Sequence, residues 1–424
     1  MLYFNFKDYT DMKIFYVFML SFFFLFQATA QQAKVVGYLP TYRFGSSNSI
    51  EYCKLTHLNL CFANPDANGN FKMNSFSEIK NRAKKQNPNI LVCISLGGGV
   101  LPDGAKENWI KFIDTPANRP MLISKIIEFV KTNQLDGVDF DLEWDAVTAG
   151  YSDFAIQLND SLKKYDKLFT AALPATTRYS QISKKALESF DFINIMAYDE
   201  TGPWTPNKPG QHSSFDFAKQ AVNYWKNQGV ASNKLVLGVP FYGYNFDDLK
   251  NITGFSYSEM VRKNILYAEL DQVGEAYYNG RPTIEKKVGL AAESVSGIMI
   301  WELGQDIYNE FSLLTTIHNK FNAIGFTTTG LCGNTVFAEN FNKSKINIYP
   351  NPVVENLHIE LDGEKEITVS LYDISGRKLN IFPQNRFNKM VLNISGLKEG
   401  IYLLKVESLN FNQSTKIMIS SNSN

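Results

Sequence analysis

Residues 136–144 read Asp-Gly-Val-Asp-Phe-Asp-Leu-Glu-Trp, which puts carboxyl groups at Asp139, Asp141 and Glu143, two residues apart. Successive side chains of a β-strand point to opposite faces, so all three acids project one way. Val138, Phe140 and Leu142 then fill the other face with bulky apolar groups. Neighbouring carboxyls emerge roughly 6–7 Å apart. Acids crowded in a low-dielectric interior retain protons that water would remove. A carboxylic acid still protonated near neutral pH is what donation to a leaving group needs. Two other readings of the strand stay open at this point. It could lie at a sheet edge with its polar face in water. Its oxygens could also bind magnesium or calcium, although spaced acids on one strand do not by themselves surround an ion.

The elements that must hold this strand recur along the chain. The runs Lys34–Tyr42, His57–Asn64, Asn89–Gly97, Gly137–Trp144, Leu168–Ala175, Phe192–Asp199, Leu235–Tyr242 and Gly297–Leu303 read as strands. Between several of them lie helical patterns: Pro120–Thr132, with Ile123, Ile126, Ile127 and Val130 on one stripe, then Tyr151–Lys164 and Phe215–Gln228. Strand and helix alternating eight times over roughly 290 residues predict an α/β fold, a (β/α)8 TIM barrel, ahead of an open doubly wound sheet. Polar and aromatic residues gather where the strands end: Ser95 with Gly97 to Gly99, Glu143 and Trp144, Tyr198 and Asp199, Tyr242, and Trp301 with Glu302. Barrel enzymes build their sites on that C-terminal face.

Composition narrows the partners. The chain has 424 residues with 42 basic against 42 acidic, so no cationic excess exists to neutralise phosphates and nucleic acid is not expected. Aromatic residues make up 14%, which leaves rings to spare for stacking surfaces. Cys53, Cys61, Cys93 and Cys332 form no Cys-x-x-Cys pair and His residues are scattered, so no metal site is expected. Cys61 and Cys93 fall in strands and read as small buried hydrophobes. No organic cofactor is indicated, and with no heptad seam a monomer is the default.

The two ends carry different signals. Lys13, the apolar run Ile14 to Phe26 and then Ala28-Thr29-Ala30 describe a secretory signal peptide over residues 1–30, with Met12 a candidate true start. The run is too short to span a bilayer comfortably, so no permanent membrane span is expected. The barrel is assigned to 31–322, followed by a Thr- and Asn-rich linker, 323–345. From 346 to 424 apolar residues alternate (Leu357/Ile359/Leu361, Ile367/Val369/Leu371) between turns such as Asn351-Pro352 and Glu399-Gly400. That pattern predicts a small all-β sandwich.

Asp136-Gly-Val-Asp139-Phe-Asp141-Leu-Glu143 resembles the DGxDxDxE signature of family 18 glycoside hydrolases, the chitinase family, at every specified position. Ser95-Leu-Gly97-Gly98 is similar to that family's SxGG motif, Met196-Ala-Tyr198-Asp199 to its MxYD motif, and Trp301 stands where it has a tryptophan on the eighth strand. The resemblance covers roughly residues 34–320. It implies substrate-assisted retaining catalysis on chitin or chitooligosaccharides, with no enzyme nucleophile. Glu143 would be acid and then base, Asp141 would orient the substrate's acetamido group, and Asp139 would share a proton with Asp141. Tyr198 and Asp199, with Met196 alongside, would position that group, and Trp301 would floor the sugar. Core packing is the competing reading for Trp301, and equally for Tyr242, while Trp144 and Trp204 could line outer subsites or be ordinary surface rings. Ser95, Gly97 and Gly98 read as structural, allowing close backbone approach.

The motifs leave two other functions open: an endo-β-N-acetylglucosaminidase acting on N-glycan chitobiose cores, and a non-catalytic chitin-binding lectin, against which the presence of Glu143 speaks. About 55 residues separate Tyr242 from Gly297, too few for a full α+β module beside a helix, so an open cleft and endo-action are expected. The tail is similar to the type A C-terminal sorting domain of type IX secretion, through Tyr349-Pro-Asn-Pro352, Leu371-Tyr-Asp-Ile-Ser-Gly376-Arg and Gly400-Ile-Tyr-Leu-Leu-Lys405-Val. This implies engagement of the type IX secretion machinery and an extracellular or outer-surface location. A carbohydrate-binding sandwich is the alternative. N-terminal sequencing of the exported product should begin at Gln31; an intact Met1 or Met12 would refute cleavage.

Overall fold

The computed structural model describes residues 32–328 and, in the C-terminal region, 347–360, 368–373, 377–379, 384–386, 389–407 and 412–420. The expected signal peptide, most of the expected linker and Cys332 lie outside the described residues.

Seven strands come first: β1 (Lys34–Pro40), β2 (His57–Ala63), β3 (Leu91–Gly98), β4 (Gly137–Leu142), β5 (Leu168–Pro174), β6 (Phe192–Met196) and β7 (Leu235–Pro240). Four short strands follow, β8 (Tyr242–Asn245), β9 (Thr253–Ser256), β10 (Gln272–Val273) and β11 (Ala276–Tyr277), and then β12 (Gly297–Trp301). Strands β1 to β7 and β12 pair in parallel into a closed barrel, in the order β1-β12-β7-β6-β5-β4-β3-β2. This is the (β/α)8 TIM barrel that the alternation of elements predicts.

The central strand explains why the barrel needs its helices. Val138, Phe140 and Leu142 are buried on the outer face of β4, where Phe140 stacks on Tyr151 at 4.8 Å and lies 5.6 Å from Phe154. Both partners belong to the helix Tyr151–Lys163, which buries Tyr151, Phe154, Ala155, Leu158 and Leu162 at helical spacing. The helix Arg119–Thr132 likewise buries Ile123, Ile126, Ile127 and Val130, the expected stripe. Each fully buried large side chain contributes about 1.5–3 kcal/mol relative to exposure. Packing on the outer face thus holds β4 while its inner face carries charge.

Several strands end earlier than the sequence pattern suggests. The run Leu235–Tyr242 is two elements, because β7 stops at Pro240, which has no N–H to donate to a ladder, and β8 begins at Tyr242. The insert between β7 and β12 is therefore more than a loop and a helix. It forms a four-stranded antiparallel sheet in the order β10-β11-β8-β9. At the other end, packing continues past residue 322: Phe326 lies against the barrel core, and the Ala33 N–H donates to the Thr327 carbonyl at 2.9 Å.

The C-terminal region folds as two four-stranded antiparallel sheets. One is β13-β14-β18-β17, from β13 (Asn347–Tyr349), β14 (Asn356–Glu360), β17 (Gln384–Arg386) and β18 (Lys389–Asn393). The other is β16-β15-β19-β20, from β15 (Thr368–Tyr372), β16 (Lys378–Leu379), β19 (Gly400–Glu407) and β20 (Asn412–Ile419). Leu357, Ile359 and Leu392 of the first sheet share a core with Leu371, Leu404, Val406 and Ile417 of the second, as a sandwich requires.

Gly97 on β3 shows how tightly the acid strand is embraced. Its φ is +106°, and a Cβ there would lie 2.5 Å from the Asp141 carbonyl oxygen. Gly97→Ala is expected to lower the free energy of unfolding by about 2 kcal/mol or more, read from denaturant midpoints. An unchanged midpoint would contradict this account of the β3–β4 contact.

Candidate active site

Register places the polar side chains in one inward layer. Ser95 on β3 pairs with Asp139 on β4, and Asp139 pairs with Thr170 on β5. The Asp139 carboxylate accepts hydrogen bonds from Thr170 Oγ1 (2.6 Å), Ser95 Oγ (2.7 Å), Tyr38 Oη (2.7 Å) and Asn194 Nδ2 (3.3 Å). Asn194 Nδ2 also donates to Tyr38 Oη at 3.1 Å, so the tyrosine's own hydrogen points to Asp139. Burial raises the Asp139 pKa, and the four donors pull it back by favouring the anion.

Asp141 lies one layer higher and has a different environment. Its Oδ1 is buried without a hydrogen-bond partner among the described residues. Burial, then Glu143, then Asp139 push its pKa well above the ordinary carboxylate range. No hydrogen bond joins Asp139 to Asp141 among the described residues. Four donors engage the Asp139 carboxylate, and none reaches Asp141 Oδ1 among the described residues.

Glu143 stands just beyond the end of β4, half-buried, at the mouth of the barrel. A Cβ on Gly99 would come within 2.8 Å of Glu143 Oε1, so the glycine leaves the acid its space. Burial, reinforced by the negative charge of Asp199, raises the Glu143 pKa to about 7. The next residue, Trp144, is 65% exposed with φ +52°, and its N–H donates to Tyr179 Oη at 3.1 Å.

Across the mouth, Tyr198 and Asp199 follow β6. Tyr198 Oη has only a weak contact with Met299 Sδ at 3.9 Å, which leaves its hydrogen available. Asp199 adopts φ +64° and accepts hydrogen bonds from Tyr242 Oη (2.6 Å) and Tyr244 Oη (3.1 Å), with His212 Nδ1 3.3 Å away. Tyr242 is buried at the start of the insert sheet, turned to Asp199. Trp301 is partly exposed, stacked on Phe62 at 5.6 Å and edge-on to Tyr38 at 5.7 Å, with Met196 and Tyr198 in the same inner cluster. The neighbouring Glu302 turns instead to Arg43, at 3.1 Å, and to the Gly304 N–H. Trp204 sits at the rim, 54% exposed, with its ring edge on Tyr244 at 5.6 Å.

Of the residues singled out in the sequence, Asp141, Glu143, Tyr198, Asp199, Tyr242 and Trp301 gather toward the mouth of the barrel, with Asp139 one layer below them. Trp144 and Trp204 lie at the rim of that mouth. Ser95 does more than permit close approach, since its hydroxyl binds Asp139 directly. The sequence reading passed over Tyr38, Thr170, Asn194, His212 and Tyr244. For the first three a signal was present, because polar groups on the inward side of otherwise apolar barrel strands are buried and must find partners.

Residues 34–306 match the family described as glycosyl hydrolases family 18. The chain belongs to this family. Residues 347–420 match the secretion system C-terminal sorting domain, which marks this family 18 member for export to the outside or outer surface of the cell. Among the described residues no helix is long and apolar enough to cross a membrane. The barrel is similar to the crystal structure of the chitinase ChiB from the chitin utilization locus of Flavobacterium johnsoniae, at 51% identity over 72% of this chain and 99% of that one, with a TM-score of 0.71. A chitinase structure from Bacteroides thetaiotaomicron is 32% identical over 68% of this chain and 96% of that one, with a TM-score of 0.60. Among curated relatives, Endochitinase 1 of Metarhizium robertsii is 26% identical over 56% of this chain, which spans 66% of that relative's length.

Because the folded pKa of Asp141 lies above its unfolded value of about 3.9, the native state holds the proton more tightly. The contribution of Asp141 to stability is therefore fully present below about pH 4 and is lost as pH rises through the raised folded value. Asp141→Asn should flatten this decline, so that its melting midpoint gains on the wild type as pH rises toward neutrality. A constant difference across pH would contradict a protonated, buried Asp141.

Proposed function

We propose that this exported family 18 protein is an endo-acting chitinase, hydrolysing β-1,4-linked N-acetylglucosamine chains with Glu143 as general acid and base. The observation that carries the reading is the gradient along β4: four donors on the Asp139 carboxylate, a buried Asp141 oxygen with no partner among the described residues, and a mouth-facing Glu143 with its pKa raised to about 7. Glu143 protonates the glycosidic oxygen as the bond to the anomeric carbon breaks. The substrate's 2-acetamido carbonyl oxygen attacks that carbon and forms an oxazolinium ion. Asp141 accepts a hydrogen bond from the acetamido N–H, and Tyr198 Oη, whose hydrogen meets only Met299 Sδ weakly among the described residues, donates to the acetamido carbonyl. Glu143 then removes a proton from water as the water opens the ring, restoring the acid and retaining the configuration. Holding the internal nucleophile in place supplies effective concentration, with no covalent bond to the protein.

Trp301 offers a ring face for the sugar at the cleavage point, and the exposed rings of Trp144 and Trp204 lie where neighbouring sugars would extend. The span between Tyr242 and Gly297 leaves room only for a small insert, which supports a shallow cleft able to accept internal bonds. Type IX secretion machinery is the partner that the C-terminal domain implies.

Glu143→Gln should lower kcat by about a hundredfold to ten-thousandfold while binding of chitooligosaccharides persists. Full activity in that variant would remove the acid assignment. Since the acid must hold its proton, kcat/KM should fall as pH rises through about 7, and a basic limb well above that value would contradict the assignment. Incubation with chitin oligomers and with a high-mannose glycoprotein, followed by mass analysis, separates chitin cleavage from release of N-glycans at their chitobiose core. Processive release of dimers from crystalline chitin would overturn endo-action.

A further inference from the structure

Lys287 is fully buried in the helix Arg281–Ser294, far in sequence from the acid strand. Its Nζ lies 2.7 Å from the Ser213 carbonyl oxygen, 2.6 Å from Ser213 Oγ and 2.7 Å from Asn279 Oδ1. Asn279 Nδ2 donates to the Ser213 carbonyl at 2.9 Å, which fixes the amide oxygen toward the lysine. Ser213 Oγ gives its own hydrogen to the Ala197 carbonyl at 2.6 Å, so it accepts from the lysine. Three acceptors around one nitrogen specify an ammonium with three hydrogens. Burial works against this charge and lowers the Lys287 pKa to about 7, opposed by Asp271. A buried ammonium without a hydrogen-bonded carboxylate is a costly way to hold a loop.

That loop grips the dipeptide opposite the acid. Ser213 Oγ holds the Ala197 carbonyl just before Tyr198, and the Glu200 N–H just after Asp199 donates to the His212 carbonyl at 3.0 Å. The Asp199 N–H points at His212 Nδ1 at 3.3 Å, while His212 Nε2 donates to the Tyr242 carbonyl at 3.1 Å. His212 and Ser213 are both fully buried. Asp199 needs such support, because a left-handed backbone at a residue other than glycine costs on the order of 1–3 kcal/mol.

We propose that Lys287 is a positioning residue for catalysis: its ammonium locks Ser213 and His212 into a clamp that holds Tyr198 and Asp199 opposite Glu143. The inference rests on the reading of Glu143 as the general acid. Asp199 is the charge that, beside burial, raises the Glu143 pKa; Asp141 on the same strand and the neutral hydroxyls of Tyr198 after β6 and Tyr179 after β5 are the other titratable groups facing Glu143. If the clamp loosens and Asp199 moves away, Glu143 loses its proton at lower pH.

The test is Lys287→Met in the full chain, assayed on chitooligosaccharides across pH beside Glu143→Gln and the exposed neighbour Lys286→Met. The expected result is a kcat lowered about tenfold or more, KM changed by less than about threefold, and the basic limb of kcat/KM displaced to lower pH. Lys286→Met should match the wild type. A folded Lys287→Met protein with unchanged kcat and limb overturns the proposal, as does a loss of activity with the limb unmoved, which marks a purely structural lysine. If Lys287→Met fails to fold, Ser213→Ala decides: a limb displaced to lower pH supports the clamp, and an unmoved limb overturns it. Full activity in Glu143→Gln would instead remove the acid assignment on which the inference rests.

Discussion

A carboxyl group buried inside a barrel needs hydrogen-bond donors, and the supply of donors to Asp139 organises much of this molecule. Ser95, Thr170, Asn194 and Tyr38 come from four different strands, and each gives a hydrogen to the same carboxylate. Ser95 and Thr170 lie on the strands beside β4, but Tyr38 and Asn194 are recruited only when the sheet closes, because β1 and β6 reach β4 across the barrel interior. Closure and charge placement are thus one constraint. The apolar outer face of β4, packed on Tyr151 and Phe154, offsets the cost of an inner face that carries acids.

From that base the acids differ by environment and not by type. Asp139 has every lone pair engaged, Asp141 has an orphaned oxygen, and Glu143 reaches the mouth. Two aspartates on one strand face thereby differ in how fully their oxygens are hydrogen-bonded. Glu143 is poised by two causes that originate apart: burial beside its own strand, and the charge of Asp199 from beyond β6. The hydroxyls of Tyr242 and Tyr244 hold that second charge, so the insert sheet takes part in setting the acid. The small insert is thus a support for the site.

The barrel was readable because its signals are local. Alternation of apolar strands with helical stripes such as Ile123, Ile126, Ile127 and Val130 fixes the fold class wherever a segment folds against one face. The three acids, Tyr198, Asp199 and Trp301 were readable because strand ends of a closed barrel must meet on one rim. Strand ends were less legible: nothing in Leu235–Tyr242 but Pro240 marks the break into two sheets. Tyr38, Asn194 and Thr170 passed unnoticed, since one polar residue in an apolar run does not disclose its partner. His212 and Lys287 lie 13 and 88 positions after Asp199 in the chain and become its neighbours, direct or indirect, only through packing.

The amino-acid order alone determined the set of chemical groups on β4, the face they share, the alternating elements that build a barrel, and the sandwich that follows. These depend on period and residue type over a few positions. Tertiary structure decided which donors and charges surround each acid, which way Asp199 points, and what holds it there. Those outcomes depend on donors and charges from strands and loops far apart in the chain, whose distances exist only once the sheet has closed.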